Sequence, residues 1–238
     1  MAVTREALHF AADEVRIFSL LRDRGFQPDV IFDIGAGNGT WSALINEVFP
    51  KAAYHLFEPL AEVHRDYRDA LEGCLKDHSN FQMHKIALGD RDGKVEMRLH
   101  EDGYSSTVLD MGSHPDFRRR VAVDQYILDE YVRDNGIPPA SIIKIDTQGA
   151  ERIIFKGATN CLEQAKVIFT ESWLSRGYGP ETPLLTELIE LLSASDFVLA
   201  EIGYRFYDTS HALYGCDAFF LKRAFLESLQ GRMPEESW

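Results

Sequence analysis

The tightest constraint on this chain is a short apolar run, Val30-Ile31-Phe32-Asp33-Ile34, that ends in three alternating glycines, Gly35, Gly37 and Gly39. A continuous apolar run of this length reads as a strand buried on both faces, as in a parallel sheet. Glycines at its end let the backbone turn tightly and come close to a ligand. A helix over about 40–49 follows. The same alternation then continues. A strand at 54–58 is stopped by Pro59, 60–76 reads as helix, and 81–87 as a third strand. Residues 94–100 alternate like an exposed strand, with a partner expected near 106–109 in an insertion. Residues 121–135 read as helical after the first few. Core strands follow at 141–146 and 166–171, with a helix from Gly149 to Lys156 closed by Gly157, and another over 182–194 with Pro183 in its first turn. The last strands are expected at 197–202 and 217–221. Strands alternating with helices predict an α/β domain with a mostly parallel sheet.

The formal net charge is −13, which disfavours a basic stripe and predicts no nucleic-acid partner. Cys74, Cys161 and Cys216 are widely spaced and odd in number, so neither a disulfide framework nor a metal site is expected. The first residues lack a signal-peptide core, and no apolar run is long enough for a membrane span. These features predict a soluble, cytoplasmic protein. Residues 4–23 repeat apolar positions at helical spacing, with Thr4 as N-cap and Gly25 as stop. This helix is expected to pack on one edge of the sheet rather than act as a lid, and it is a candidate homodimer element. The expected division is a helical extension over 1–28, a catalytic domain over 29–230 and a tail over 231–238.

What does the glycine loop hold? The dinucleotide fingerprint requires a further glycine where this chain has Thr40, so that pattern fails. Asp33 lies two residues before the first glycine. A carboxylate there discourages a pyrophosphate and suits the cationic end of S-adenosylmethionine. Glu58 ends the next strand, 25 positions later. An acid at about that spacing holds a ribose hydroxyl pair in related sheets, and a carboxylate can accept from both hydroxyls. The third signal is Ile143-Lys144-Ile145-Asp146-Thr147-Gln148-Gly149-Ala150-Glu151. Asp146 falls at the carboxyl end of a core strand, where open α/β sheets bind ligands. The plainer alternatives are that Asp146 or Gln148 caps the next helix, and that Glu151 favours its dipole.

At these stretches the chain resembles the FkbM family of class I methyltransferases. The resemblance rests on 32–40, Phe57-Glu58-Pro59, Ala87-Leu88-Gly89-Asp90, Ser105-Ser106, the segment 143–157 and Asp217-Ala218-Phe219-Phe220. It covers about 30–221. The chain departs from the family where Gly37, rather than an asparagine, follows Gly35-Ala36; Asn38 comes one place later. The resemblance implies a Rossmann-like fold: a seven-stranded, mostly parallel sheet with an antiparallel last strand, helices on both faces, an N-terminal helix and a small β insertion. It also implies S-adenosylmethionine as donor and O-methylation in sugar or natural-product chemistry. The expected cofactor set is Asp33, Gly35, Gly37, Asn38, Glu58, Pro59, Ala87 and Asp146.

An alcohol acceptor must lose a proton as it is methylated, so a general base is useful. Asp146 is the first candidate, Glu171 at the end of the next strand the second, and His211 between the last strands the third. Ser105, Gln148, Trp173 and Arg176 are the candidates for holding a small-molecule hydroxyl acceptor. Arg176 has two readings, a contact to an acceptor carboxylate or phosphate and a structural ion pair. No compact ligand spacing points to a metal. A nitrogen acceptor, a non-catalytic cofactor-binding scaffold and a nicotinamide oxidoreductase are the rival functions; the last lacks its loop glycine.

Overall fold

The structure is a computed structural model that describes residues 12–63, 65–100, 104–117 and 119–230. Thr4 and the tail 231–238 lie outside those residues. The chain begins with α1 (Ala12–Asp23), then β1 (Val30–Ile34), α2 (Thr40–Val48), β2 (Ala53–Phe57), α3 (Arg65–Asp77) and β3 (Phe81–His84). A small excursion follows: β4 (Ala87–Gly89), β5 (Gly93–Leu99), β6 (Arg119–Ile127) and α4 (Leu128–Asp134). The second half is β7 (Ile142–Ile145), α5 (Glu151–Lys156), α6 (Thr159–Gln164), β8 (Val167–Trp173), α7 (Leu185–Ser193), β9 (Phe197–Tyr207), β10 (Leu213–Lys222) and α8 (Arg223–Gln230).

Seven strands form one sheet in the order β3-β2-β1-β7-β8-β10-β9. Parallel pairs run from β3 to β8, and β10 is antiparallel to both of its neighbours. This is the Rossmann-like class I methyltransferase arrangement that the resemblance implied. All five residues of β1 are buried, as a strand covered on both faces requires. The order reverses at β1, where β2 lies to one side and β7 to the other. Such a reversal opens a crevice beyond the strand ends.

Side chains alternate between the faces, so each face has its own core. Phe32, Ile143, Ile168 and Phe220 belong to one. Ile31, Ile142, Phe169 and Phe219 belong to the other, which α1 covers through Ile17, Phe18 and Leu21. Phe18 meets Trp41, Phe49 and Phe219 edge-on. The same alternation puts Asp33, Lys144, Glu171 and Asp217 on the α1 face. Asp33 pairs in register with Lys144, and Glu171 with Asp217. A polar stripe therefore crosses an otherwise apolar sheet, and it crosses underneath α1.

The insertion differs from expectation in three places. The run 81–87 is two strands, because β3 stays in the main sheet while β4 leaves to join a three-stranded sheet, β4-β6-β5. The partner of β5 is β6 along its whole length, whereas the 106–109 stretch contributes one bridge, Arg98 to Thr107. Helix begins only at Leu128, because 119–127 is strand. Val121, Val123 and Gln125 alternate in that stretch, and β-branched residues at period two fit a pleated surface better than a helix.

Candidate active site

A cavity of about 330 Å³ opens beyond the carboxyl ends of β2, β1, β7 and β8. That volume lies within the usual range of small-molecule sites.

One end is built by backbone. Gly35 has φ +75°, and a Cβ placed there would meet the Asp146 carbonyl oxygen at 1.9 Å. No other residue type fits at this crossing of two loops. The amides of Gly35 and Ala36 both donate to the Phe57 carbonyl, tying the loop to β2. Gly37 N donates to Glu58 Oε2 at 2.9 Å and Leu60 N to Glu58 Oε1 at 2.8 Å. Each carboxylate oxygen keeps a second lone-pair direction for a ligand. Burial lifts Glu58 to about 7, against the pull of the Leu60 and Gly37 amides. Asn38 accepts from Thr40 N at 3.1 Å and donates to Tyr104 OH at 3.3 Å, which closes the loop over the mouth. Gly35, Gly37, Asn38, Glu58, Pro59 and Ala87 all line this end.

Asp33 does not line the cavity. It is fully buried beneath the floor, where Ser42 Oγ donates to Oδ2 at 2.6 Å and Lys144 Nζ pairs with Oδ1 at 2.9 Å. Both of its carboxylate oxygens are taken up by Ser42 and Lys144, so its work is to hold Lys144. Lys144 was not singled out from the sequence as a site residue, although a lysine inside Ile142-Ile143-Lys144-Ile145 is the one polar interruption of that strand. Its ammonium donates to the Gly35 carbonyl at 2.6 Å and lies 3.7 Å from Asp146 Oδ2. Burial works against its charge, but Asp33 and Asp146 hold the ammonium pKa above its ordinary value. It ties the glycine loop, β1 and β7 to one point.

The other end is built by side chains. Asp146 has 37% of its side chain exposed and accepts from Gln148 Nε2 at 3.0 Å. Neither residue caps α5: its N-cap is Ala150, which makes no side-chain cap. Gln148 instead sits at φ +57°, a left-handed conformation uncommon for a non-glycine residue. Glu151 Oε1 enforces it by accepting from the amides of Thr147 and Gly149, each at 3.1 Å. Thr107 Oγ1 donates to the Gln148 carbonyl and Tyr178 OH to its amide oxygen. Glu171 lines the cavity with Oε2 unpartnered. Burial, then the neighbouring Asp146, Glu151 and Asp217, push its carboxyl well above the ordinary range.

Two further acids line this end, Asp217 from β10 and Glu14 from α1. Sequence reading placed Asp217 in a matching stretch but gave it no role, and it missed Glu14 because the helical pattern draws attention to apolar positions. The expectation that α1 only packs is therefore revised.

Besides Asp33, four candidates are not brought to the cavity wall. His211 is exposed in the turn between β9 and β10, because both strands run past the sheet end and carry the turn into solvent. Trp173 is buried against Tyr178 and Tyr214, below the rim. Ser105 is half-buried beside Ser106, and it is Ser106 that lines the cavity. Arg176 turns away, donating to the Thr182 carbonyl at 2.5 Å and pairing with Glu187 at 2.7 Å. Of its two readings, the structural ion pair holds. Among the described residues no group of three or more His, Cys, Asp or Glu side chains is arranged to hold a metal ion, and no helix is long and apolar enough to cross a membrane.

Comparison with known proteins agrees with this geometry. The methyltransferase FkbM domain model matches residues 33–206. The chain is 26% identical over 197 residues to the 2-O-methyltransferase NoeI of Sinorhizobium fredii, covering 77% of each. It is 24% identical to the hexuronic acid methyltransferase AglP of Haloferax volcanii, covering 78% of this chain and 76% of that protein. A solved FkbM methyltransferase from Methylobacillus flagellatus superposes with a TM-score of 0.53 at 18% identity. It covers 85% of this chain, which spans 47% of that larger protein, and it speaks to the fold alone.

Proposed function

This chain belongs to the FkbM methyltransferase family, and we propose that it moves a methyl group from S-adenosylmethionine to a hydroxyl of a sugar-like small molecule. The observation that carries the reading is one cavity with the Gly35–Gly37 loop and Glu58 at one end and Asp146 and Glu171 at the other. The residues fit the cofactor. Gly35 lets the loop cross the Asp146 backbone, and Gly37, where an added Cβ would meet nothing nearer than Tyr67 at 4.0 Å, leaves bare backbone open to a ligand. Glu58, fixed by two amides, faces the cavity with free lone pairs for a ribose hydroxyl pair. When bound, the cofactor supplies an already activated methyl group on a sulfonium.

The protein then has three tasks. It aligns the acceptor, keeps water out, and takes one proton. Asp146 is assigned the proton: a carboxylate oxygen would accept it from the acceptor hydroxyl when that hydroxyl takes the methyl group the bound cofactor would supply. Gln148 and Lys144 hold that carboxylate in place. Tyr178 fixes Gln148 in turn, so the 174–184 loop acts on the site through Tyr178. Glu171 lines the cavity next to the acceptor position and helps to hold the acceptor there. The relatives' names, a 2-O-methyltransferase and a hexuronic acid methyltransferase, favour a sugar as acceptor class. The 1–28 extension is assigned to the same catalytic unit, since α1 shares its core.

Calorimetric titration of the purified chain with S-adenosylmethionine tests the cofactor. Micromolar binding is expected, and a folded protein that shows none removes the reading. With an acceptor in hand, Asp146→Asn is expected to lower kcat by about 10²- to 10⁴-fold, the usual contribution of a positioned base, with cofactor affinity little changed.

A further inference from the structure

Four carboxylates, Glu14, Asp146, Glu171 and Asp217, face the cavity's second end. The cation among them, Lys144, already serves Asp33 and the Gly35 carbonyl. Arg176, the cation expected from the sequence, is turned away to Glu187. Glu14 is the telling member. It is only 7% exposed; the Trp41 indole N–H stands beside its carboxylate but out of good bonding geometry, and Oε2 and that N–H are both left without a hydrogen-bond partner. A buried, unsatisfied carboxylate oxygen is costly unless a ligand completes it. Opposite, Glu171 and Asp217 are direct cross-strand partners. Like charges in that position repel unless something lies between them.

From this we infer that Glu14, Glu171 and Asp217 form a subsite for a protonated amine carried by the acceptor, so that the substrate is an amino sugar or a similar amino polyol. This rests on the methyltransferase reading above. Glu171 and Asp217 lie on β8 and β10, two and three strands from β1 and its glycine loop, and Glu14 reaches the same cavity from α1, next to Asp217. An ammonium held there donates to carboxylates and has no lone pair to attack with. The amine is thus a handle, and a neighbouring hydroxyl is what is methylated. An acceptor with its own carboxylate, as in a hexuronic acid, would be repelled. Burial lifts Glu14 to about 8 and raises Glu171 and Asp217, against the pull of Lys144. An ammonium reverses that, so the subsite sheds protons when it fills.

The test uses the full chain saturated with S-adenosylhomocysteine, titrated with glucosamine, glucose and glucuronic acid. Glucosamine is expected to bind at least tenfold more tightly than glucose, with glucuronic acid weakest. Its binding heat should vary with the buffer's ionisation enthalpy, reporting proton release. Glu14→Gln and Asp217→Asn should each reduce the glucosamine preference to under threefold. They should leave affinity for S-adenosylhomocysteine within threefold and the fold intact by circular dichroism. Equal binding of the three sugars, binding of none, preference for glucuronic acid, or a preference that survives both variants overturns the inference. So does a tenfold loss of S-adenosylhomocysteine affinity in Glu14→Gln, which would make the amine the cofactor's own. If the wild-type chain fails to bind S-adenosylhomocysteine at all, the methyltransferase reading falls instead.

Discussion

The two ends of the cavity are made from different materials. At the β1–β2 end the loop and its acid are tied down: Glu58 accepts from two amides, Asn38 from Thr40, and the loop amides donate to Phe57. At the β8–β10 end Glu14 and Glu171 keep buried oxygens without partners. A satisfied, backbone-built end is preorganised for one invariant ligand, and rigid donors and acceptors cost nothing to arrange on binding. An unsatisfied, side-chain-built end stores electrostatic strain that only the right partner relieves, which is a device for discrimination.

The sharpest way to break this contrast is Gly35→Ala. The site has φ +75°, and the new methyl would lie 1.9 Å from the Asp146 carbonyl oxygen. Backbone on both sides leaves nothing flexible to yield. Cofactor binding should vanish in calorimetry and the melting temperature should fall. Retained micromolar affinity would mean that the loop is not a rigid cradle.

Glu58→Ala is the next largest. A hydrogen bond to a charged group contributes about 1.5–3 kcal/mol, so cofactor affinity should fall about 10- to 100-fold. The amides of Gly37 and Leu60 lose their acceptor as well, and the loop should loosen. An unchanged dissociation constant would take Glu58 out of the cofactor site.

These two positions were legible in the sequence because their chemistry is local. Strand, glycines and the acid at the next strand end are neighbours in the chain or sit at a fixed spacing. The main sheet was legible for the same reason, since buried strands announce themselves as apolar runs. The acidic end was only half legible. Asp146 and Glu171 end core strands, but Glu14 lies on a helix whose apolar stripe hides it. Its meaning depends on Asp217, some two hundred residues away. Nor does the chain's linear pattern say that Asp33 faces Lys144 across a strand pair, or that the hairpin carries His211 away. The β5–β6 pairing was missed because cross-strand register is a tertiary fact that period alone does not supply.

The buried acids of both ends should also write themselves into the pH dependence of stability. Burial raises Glu14 to about 8 and Glu58 and Glu151 to about 7, against an ordinary carboxyl value of 4.5. Between 4.5 and those values the folded chain keeps protons that the unfolded chain has lost. Stability then falls as pH rises. The ligand-free protein should melt at a higher temperature at pH 5.5 than at pH 8, and Glu14→Gln should flatten the upper part of that slope by on the order of 1–3 kcal/mol. Melting temperatures that rise across this range would show the acids to be solvated and the stored strain to be absent.

The smallest effect is expected at Arg176, and it bears on both ends at once. Arg176 holds the Pro180 and Thr182 carbonyls and pairs with Glu187, which Arg152 also pairs with at 2.5 Å. All of this happens on a partly exposed surface, where such pairs contribute little. Arg176→Ala should lower the melting temperature by no more than about 3 °C and leave the acceptor KM unchanged for neutral and amine-bearing sugars alike. Arg152 remains to hold Glu187, so Tyr178 keeps its grip on Gln148. A KM that rises tenfold for a carboxylate-bearing sugar alone would show that Arg176 swings in to meet an anion. The cavity would then offer a cation to its acceptor after all, and its second end would select for charge of the opposite sign.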